Sequence, residues 1–226
     1  MSKEEIVYDY DYLLKNMINL GRRYDIWKVF NDFLCICAYS ISNSVYYNDE
    51  REKEYLKIIN SYSKDEVDIL VKMFVSLVNS LDNEKFNDVL GKMFEELNLH
   101  NKYKGQFFTP EHVFDLMSEI TLNKDEIEKD IKNNGYIKLN DPACGSSRLI
   151  YSALKFMVKN NINYHYNVFV EVQDVSLICV LMSYIQLSLY GVNGKVIYGD
   201  TLTGEIYDVF YMPMMKLCPI KEMVSK

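Results

Sequence analysis

The chain has 226 residues, of which 49% are hydrophobic, and it carries a formal net charge of −7. It contains no apolar run long enough to span a membrane, no apolar signal segment at its N-terminus and no Cys-x-x-Cys pair among its five cysteines. We therefore predict a reduced, cytoplasmic protein without a metal site or disulfide framework. The acidity of the chain disfavours strong DNA binding by this chain alone, because neutralisation of DNA phosphates supplies much of the affinity for DNA.

Residues 1–104 are predicted to form a helical N-terminal domain. Apolar residues recur at helical spacing in segments 13–20 and 26–37, which indicates two amphipathic helices. Helices with large apolar faces and short connections predict a bundle.

Two further helices are predicted in the same domain from their start signals. Ser63 followed by Glu66 is the pattern of a capping box, in which each residue bonds the backbone of the other. Asp82 or Asn83 is predicted to cap a fourth helix that carries the apolar residues of segment 86–97.

Residues 105–226 are predicted to form a partial α/β domain around one loop. A short strand at 137–139 reaches Asp141, and Pro142 prevents the strand from continuing. Small residues follow at 143–147, and a helical apolar pattern comes next. In an open α/β sheet this strand–loop–helix arrangement places a ligand at the carboxyl end of the strand, where small residues let backbone N–H groups approach it.

The letters of this loop carry a family resemblance. Residues 141–147 read DPACGSS, which resembles DPACGSG, the S-adenosylmethionine-binding motif of the N6-adenine DNA methyltransferases, particularly the modification subunits of type I restriction systems. Residues 105–110 read GQFFTP and resemble the segment that precedes this motif in the family; Thr109–Pro110 also fits a helix cap and first turn. Ser147 stands where the family motif has its final glycine. The resemblance implies that S-adenosylmethionine is contacted by Phe108, Thr109, Asp141, Ala143, Cys144, Gly145 and Ser146.

Two later acids are the remaining candidates for cofactor contacts. Segment 164–173 reads as a buried strand that ends at Asp174, and an acid at the end of a second strand typically accepts hydrogen bonds from ribose hydroxyls. Glu171 is the competing candidate, although strand alternation directs it away from the Asp174 side. A third strand at 195–198 precedes GDTL, where the family places an acid near the adenine; Asp200 either has this role or caps the next turn.

Family members that methylate adenine carry an Asn-Pro-Pro-aromatic motif after a fourth strand, and this sequence contains none. Residues 207–215 are predicted to form that strand, with the order 3-2-1-4. The expected fold is therefore α/β: a helical N-terminal bundle followed by a truncated Rossmann-like methyltransferase domain, for which we assign no catalytic residue.

The resemblance implies an S-adenosylmethionine-binding protein of the N6-adenine DNA methyltransferase family, whose catalysis requires a partner. That partner would be a second copy, another methyltransferase or a specificity subunit, and DNA would be reached through the complex. The alternative is a non-catalytic interaction or decoy protein derived from a restriction-modification modification subunit.

Overall fold

A computed structural model describes residues 7–83, 85–99 and 111–220, with the side chains of residues 111 and 112 excepted. Within these ranges, eleven helices accompany one four-stranded sheet, which confirms a mixed α/β fold with a helical N-terminal part. The helices are α1 (Tyr10–Tyr24), α2 (Ile26–Asn43), α3 (Asp49–Ile59), α4 (Lys64–Asn83), α5 (Val89–Glu96), α6 (Glu111–Thr121), α7 (Lys124–Asn134), α8 (Arg148–Lys159), α9 (Tyr164–Asn167), α10 (Leu177–Leu189) and α11 (Met214–Leu217). The strands are β1 (Ile137–Asp141), β2 (Val168–Asp174), β3 (Asn193–Asp200) and β4 (Glu205–Tyr211).

Short polar side chains start the first helices of the chain. Asp25 ends α1 with a φ of +80° and caps α2 by accepting hydrogen bonds from the N–H groups of Trp27 and Lys28. The predicted capping box is confirmed, because Ser63 N–H donates to Glu66 Oε2 at 2.8 Å and Glu66 N–H donates to Ser63 Oγ at 3.4 Å.

Two boundaries and one helix differ from the sequence-based expectation. Helix α4 continues through Asp82 to Asn83, and the next helix begins at Val89 after an Asp88 cap, so the predicted cap at Asp82 or Asn83 was wrong. Helix α3 was not predicted. The strand predicted over 164–173 begins only at Val168, because the preceding residues form the short helix α9.

The sheet has the order β1-β2-β3-β4. Strands β1, β2 and β3 are parallel neighbours, as expected, but β4 pairs antiparallel with β3 and does not lie beside β1. The predicted order 3-2-1-4 was therefore wrong. The physical reason is the connection between β3 and β4, residues 201–204, since a parallel crossover needs roughly a dozen residues or more.

The helical part also holds β4 through Arg51, which no sequence motif identifies. Arg51 of α3 is buried and donates from Nη2 to Asp208 Oδ1 at 2.7 Å and to the Val209 carbonyl at 2.9 Å. Its guanidinium also lies 3.9 Å from the ring centroid of Phe210. These contacts join α3 to the edge strand.

The hydrophobic core is continuous from α1 through β4. One face of the sheet contributes Val170, Val172 and Val196 to this core, and α10 packs between the sheet and α2. The predicted division into domains 1–104 and 105–226 stays a prediction, since its boundary falls outside the described residues. Among the helices in the described ranges, none is both long and apolar enough to cross a bilayer.

Candidate functional site

The predicted ligand loop lies at the edge of the sheet where three parallel strands end. Strand β1 leads into the loop 142–147, β2 ends at Asp174, and β3 ends at Asp200. The hydroxyl of Thr201 donates to the carbonyl of Pro142 at 2.6 Å, so the turn after β3 is joined to the loop after β1. The fold thus brings the loop and the two predicted acids to one edge.

The loop is held to β1 and β2 by its own backbone. Ala143 N–H donates to Asp141 Oδ1 at 3.1 Å, and Cys144 N–H donates to the carbonyl of Gln173 at 2.9 Å. Ala143 is exposed. Cys144 is buried, and this burial raises the pKa of its thiol well above the ordinary range. A ligand at this edge would meet the Ala143 side of the loop and not the Cys144 thiol.

Asp174, at the end of β2, also bonds the backbone of the loop. Its Oδ2 accepts from Gly145 N–H at 2.9 Å, and its Oδ1 accepts from Ser176 N–H at 2.8 Å. Burial raises its pKa above the ordinary value; the N–H bonds oppose this effect, and the charge of Asp141 adds to it. Burial also raises the pKa of Asp141. Because two partly buried carboxylates disfavour each other's charge, a cation or a donor of hydrogen bonds would be stabilised beside them.

Glu171, the competing acid, is engaged elsewhere. Its two carboxylate oxygens each accept from a lysine at 2.9 Å, one from Lys138 on β1 and one from Lys195 on β3. Burial alone would raise the pKa of Glu171, but the hydrogen bonds and charges of the two lysines outweigh this and lower it. This arrangement favours Asp174 over Glu171 as the acid of the site.

Asp200 has the capping geometry that the sequence left open as an alternative. Its Oδ1 accepts from Leu202 N–H at 2.8 Å and from Thr203 N–H at 3.4 Å. Leu202 at the tip of this turn is 97% exposed. The capping role of Asp200 is therefore observed, and its contact with adenine stays a prediction.

The hydroxyl of Ser146 is directed into the protein. Ser146 is 1% exposed, and its Oγ donates to Asp88 at 2.5 Å. Any contact of Ser146 with a ligand would therefore come from its backbone. Asp88, the cap of α5, was missed because its partners are distant in the sequence. Phe108 and Thr109 lie outside the described residues, so their predicted contacts stay predictions.

Ser147 shows why the family motif has glycine at this position. Its φ is +75°, a left-handed conformation that strains any residue with a Cβ. Its Oγ donates to Ser183 Oγ at 2.8 Å, and Ser183 Oγ donates in turn to the Gly145 carbonyl at 2.8 Å. These two hydroxyl hydrogen bonds stabilise the strained conformation of the loop.

A pair of substitutions at Ser147 tests this interpretation. Both Ser147→Gly and Ser147→Ala remove the hydroxyl, but only glycine relieves the left-handed strain. We expect the free energy of unfolding of the glycine variant to exceed that of the alanine variant by about 1 kcal/mol. Chemical denaturation measures this difference, and an alanine variant that is equally stable or more stable would contradict it.

A loop of small residues after the first parallel strand, with an acid at the end of the second, is the arrangement with which many open α/β proteins bind nucleotides. The model of the N-6 DNA methylase family matches residues 85–215. This match covers more than half of the chain, so the protein belongs to the N-6 DNA methylase family. No curated protein and no solved structure matches the chain.

Proposed function

We propose that this protein binds S-adenosylmethionine at the carboxyl ends of β1, β2 and β3, as the Rossmann-like cofactor-binding part of an adenine-N6 DNA methyltransferase. The observation that carries the proposal is the bond from Gly145 N–H to Asp174 Oδ2 at 2.9 Å. This bond joins the DPACGSS loop to the acid expected to hold the ribose. When bound, S-adenosylmethionine would supply an activated methyl group.

The charge of the site supports this cofactor over a phosphate-bearing nucleotide. The charged residues at the three strand ends are Asp141, Asp174 and Asp200, which are all acidic. A dinucleotide pyrophosphate would be repelled by these carboxylates, whereas a sulfonium group carries a positive charge and would be attracted. The ribose hydroxyls would donate to Asp174, which suits a carboxylate whose burial has raised its pKa.

Calorimetry on the purified chain tests the proposal. We expect heat of binding with S-adenosylmethionine and with its demethylated product, and none with ATP at the same concentrations. The ATP control tests whether the acidic strand ends exclude an adenine nucleotide that carries phosphates. Absence of both a calorimetric and a thermal-shift response to millimolar S-adenosylmethionine would contradict the proposal.

One observation favours the alternative, a non-catalytic interaction or decoy protein of a restriction-modification assembly. The chain has no Asn-Pro-Pro-aromatic motif, and the segment predicted to take the position of the fourth strand forms the antiparallel strand β4. In the family that motif follows a strand and holds the flipped adenine. Under the leading proposal, a partner chain supplies the groups that hold the base.

We expect the purified chain alone to transfer no methyl group to DNA. Nothing in residues 205–217 matches the base-holding motif, and misplacing the adenine amine by even ~1 Å can cost about a hundredfold in rate. The acidic chain would also hold a duplex weakly. The assay is transfer of labelled methyl groups from S-adenosylmethionine to unmethylated genomic DNA, followed by analysis for N6-methyladenine.

A complete adenine-N6 methyltransferase in the same assay is the positive control. N6-methyladenine formed by the isolated protein would contradict the prediction. Activity that appears only when this chain is combined with a second methyltransferase or specificity subunit that is inactive alone would favour the leading proposal. Inhibition of an assembled restriction-modification enzyme, without transfer, would favour the decoy.

A further inference from the structure

One buried carboxylate in the helical part of the protein is bonded to the cofactor loop. Asp88 is 6% exposed and accepts four hydrogen bonds. Its Oδ2 accepts from Ser146 Oγ at 2.5 Å and from Arg148 Nε at 2.6 Å. Its Oδ1 accepts from Gly91 N–H at 2.9 Å and from Gln186 Nε2 at 3.0 Å. The same side chain thus caps α5 and bonds residues on either side of Ser147.

Two neighbours secure this arrangement from the helical side. Glu95, one turn further along α5 than Gly91, accepts from Arg148 Nη1 at 2.8 Å. Gln186 of α10 also accepts from Leu90 N–H at 3.1 Å, so α10 and α5 are joined beside Asp88. The loop is therefore fixed on one side by β2 and on the other by α5.

Gly91 leaves the space that Asp88 occupies. A Cβ at this position would lie 2.6 Å from Asp88 Cγ, which is closer than non-bonded atoms can approach. An alanine would have to displace the carboxylate. Gly91→Ala would therefore break the bonds of Asp88 to the loop together with its cap bond from Gly91 N–H, and the higher helix propensity of alanine would offset part of the lost cap.

We propose that Asp88 is a positioning residue for the cofactor loop. The affinity for S-adenosylmethionine then depends on α5, because Asp88 at the start of α5 bonds Ser146 and Arg148. This inference rests on the proposed function of the loop. The family match begins at residue 85 and so takes in α5 together with the loop. The helical part then acts as a support for the cofactor site and not only as a separate bundle.

The physical reason is preorganisation. The loop contains two left-handed residues, Gly145 with φ +54° and Ser147 with φ +75°, and Ser146 lies between them. Without Asp88, Ser146 would be a buried hydroxyl without its acceptor, and the loop would gain other conformations. If the binding-competent fraction falls to about a tenth, the apparent dissociation constant rises about tenfold.

The test compares Asp88→Asn and Gly91→Ala with Glu66→Gln as a matched control. Glu66 is also 6% exposed, but its carboxylate accepts from Arg23 at 2.6 Å and from Tyr24 at 2.9 Å within the helical part. Calorimetry with S-adenosylmethionine gives the affinity. We expect both test variants to bind about tenfold more weakly or worse, and Glu66→Gln to bind within about twofold of the wild type.

Hydrogen exchange of the ligand-free protein gives a second readout that does not depend on the cofactor. The amides of Cys144 and Gly145 should exchange at least about tenfold faster in the two test variants, relative to core amides of β2, and should be unchanged in Glu66→Gln. Unchanged loop protection in both test variants would overturn the inference, as would an equal loss of affinity in Glu66→Gln. The wild type could bind no S-adenosylmethionine while the loop amides still exchange faster in the two test variants. In that case the proposed function fails and the positioning of the loop by Asp88 stands.

Discussion

Replacing Asp174 by alanine is expected to weaken the binding of S-adenosylmethionine by roughly 2–3 kcal/mol, or about thirtyfold or more in the dissociation constant. The carboxylate would lose its bonds to two ribose hydroxyls. Gly145 N–H and Ser176 N–H, which donate to this carboxylate at 2.9 and 2.8 Å, would also lose their acceptor. We therefore expect a further loss of about 1–2 kcal/mol in the free energy of unfolding. Calorimetry and chemical denaturation measure the two effects separately.

Glu171→Gln is the matched control for Asp174. Both acids lie on β2, but the carboxylate of Glu171 pairs with Lys138 and Lys195 and makes no bond to the loop. We expect cofactor affinity within about twofold of the wild type and a stability loss below about 1 kcal/mol, as for other solvent-accessible ion pairs. A ranking in which Glu171→Gln weakens binding more than Asp174→Ala would assign the ribose to Glu171.

The features that the sequence predicted correctly are those whose signals are local. The capping box of Ser63 and Glu66 needs only four consecutive residues, and both of its hydrogen bonds are present. The DPACGSS loop follows β1 because a proline and a run of small residues end the strand there. The preference for Asp174 over Glu171 as the ribose acceptor stays a prediction, with which the lysine partners of Glu171 agree.

The features that were missed depend on residues far apart in the sequence. Asp88 reads locally as one helix cap among several, and its bonds to Ser146 and Gln186 span 58 and 98 residues. Arg51 lies in a charged segment that looks solvent-exposed, but folding brings it onto β4. The β4 error had a different cause, because the short connection 201–204 was available in the sequence and already favoured a hairpin.

Replacing Gly145 by alanine is expected to abolish measurable cofactor binding and to cost about 1–2 kcal/mol in the free energy of unfolding. The residue has a φ of +54°. Both of its backbone groups are engaged, since its N–H donates to Asp174 at 2.9 Å and its carbonyl accepts from Ser183 Oγ at 2.8 Å. The backbone therefore has little freedom to relax around a new side chain, and a Cβ would stand where the proposed ligand approaches.

Gly135→Ala separates the loss of the site from the cost of backbone strain. Gly135 ends α7 with a φ of +81° and lies before β1, at the opposite end of the strand from the loop. Alanine at position 135 should lower the free energy of unfolding by about 1–2 kcal/mol, as at position 145, because the same left-handed conformation is strained. Its cofactor affinity should stay within about twofold of the wild type. If Gly145→Ala keeps its affinity as well as Gly135→Ala does, the backbone of the loop does not approach the cofactor, and the ligand must be held by the acids alone.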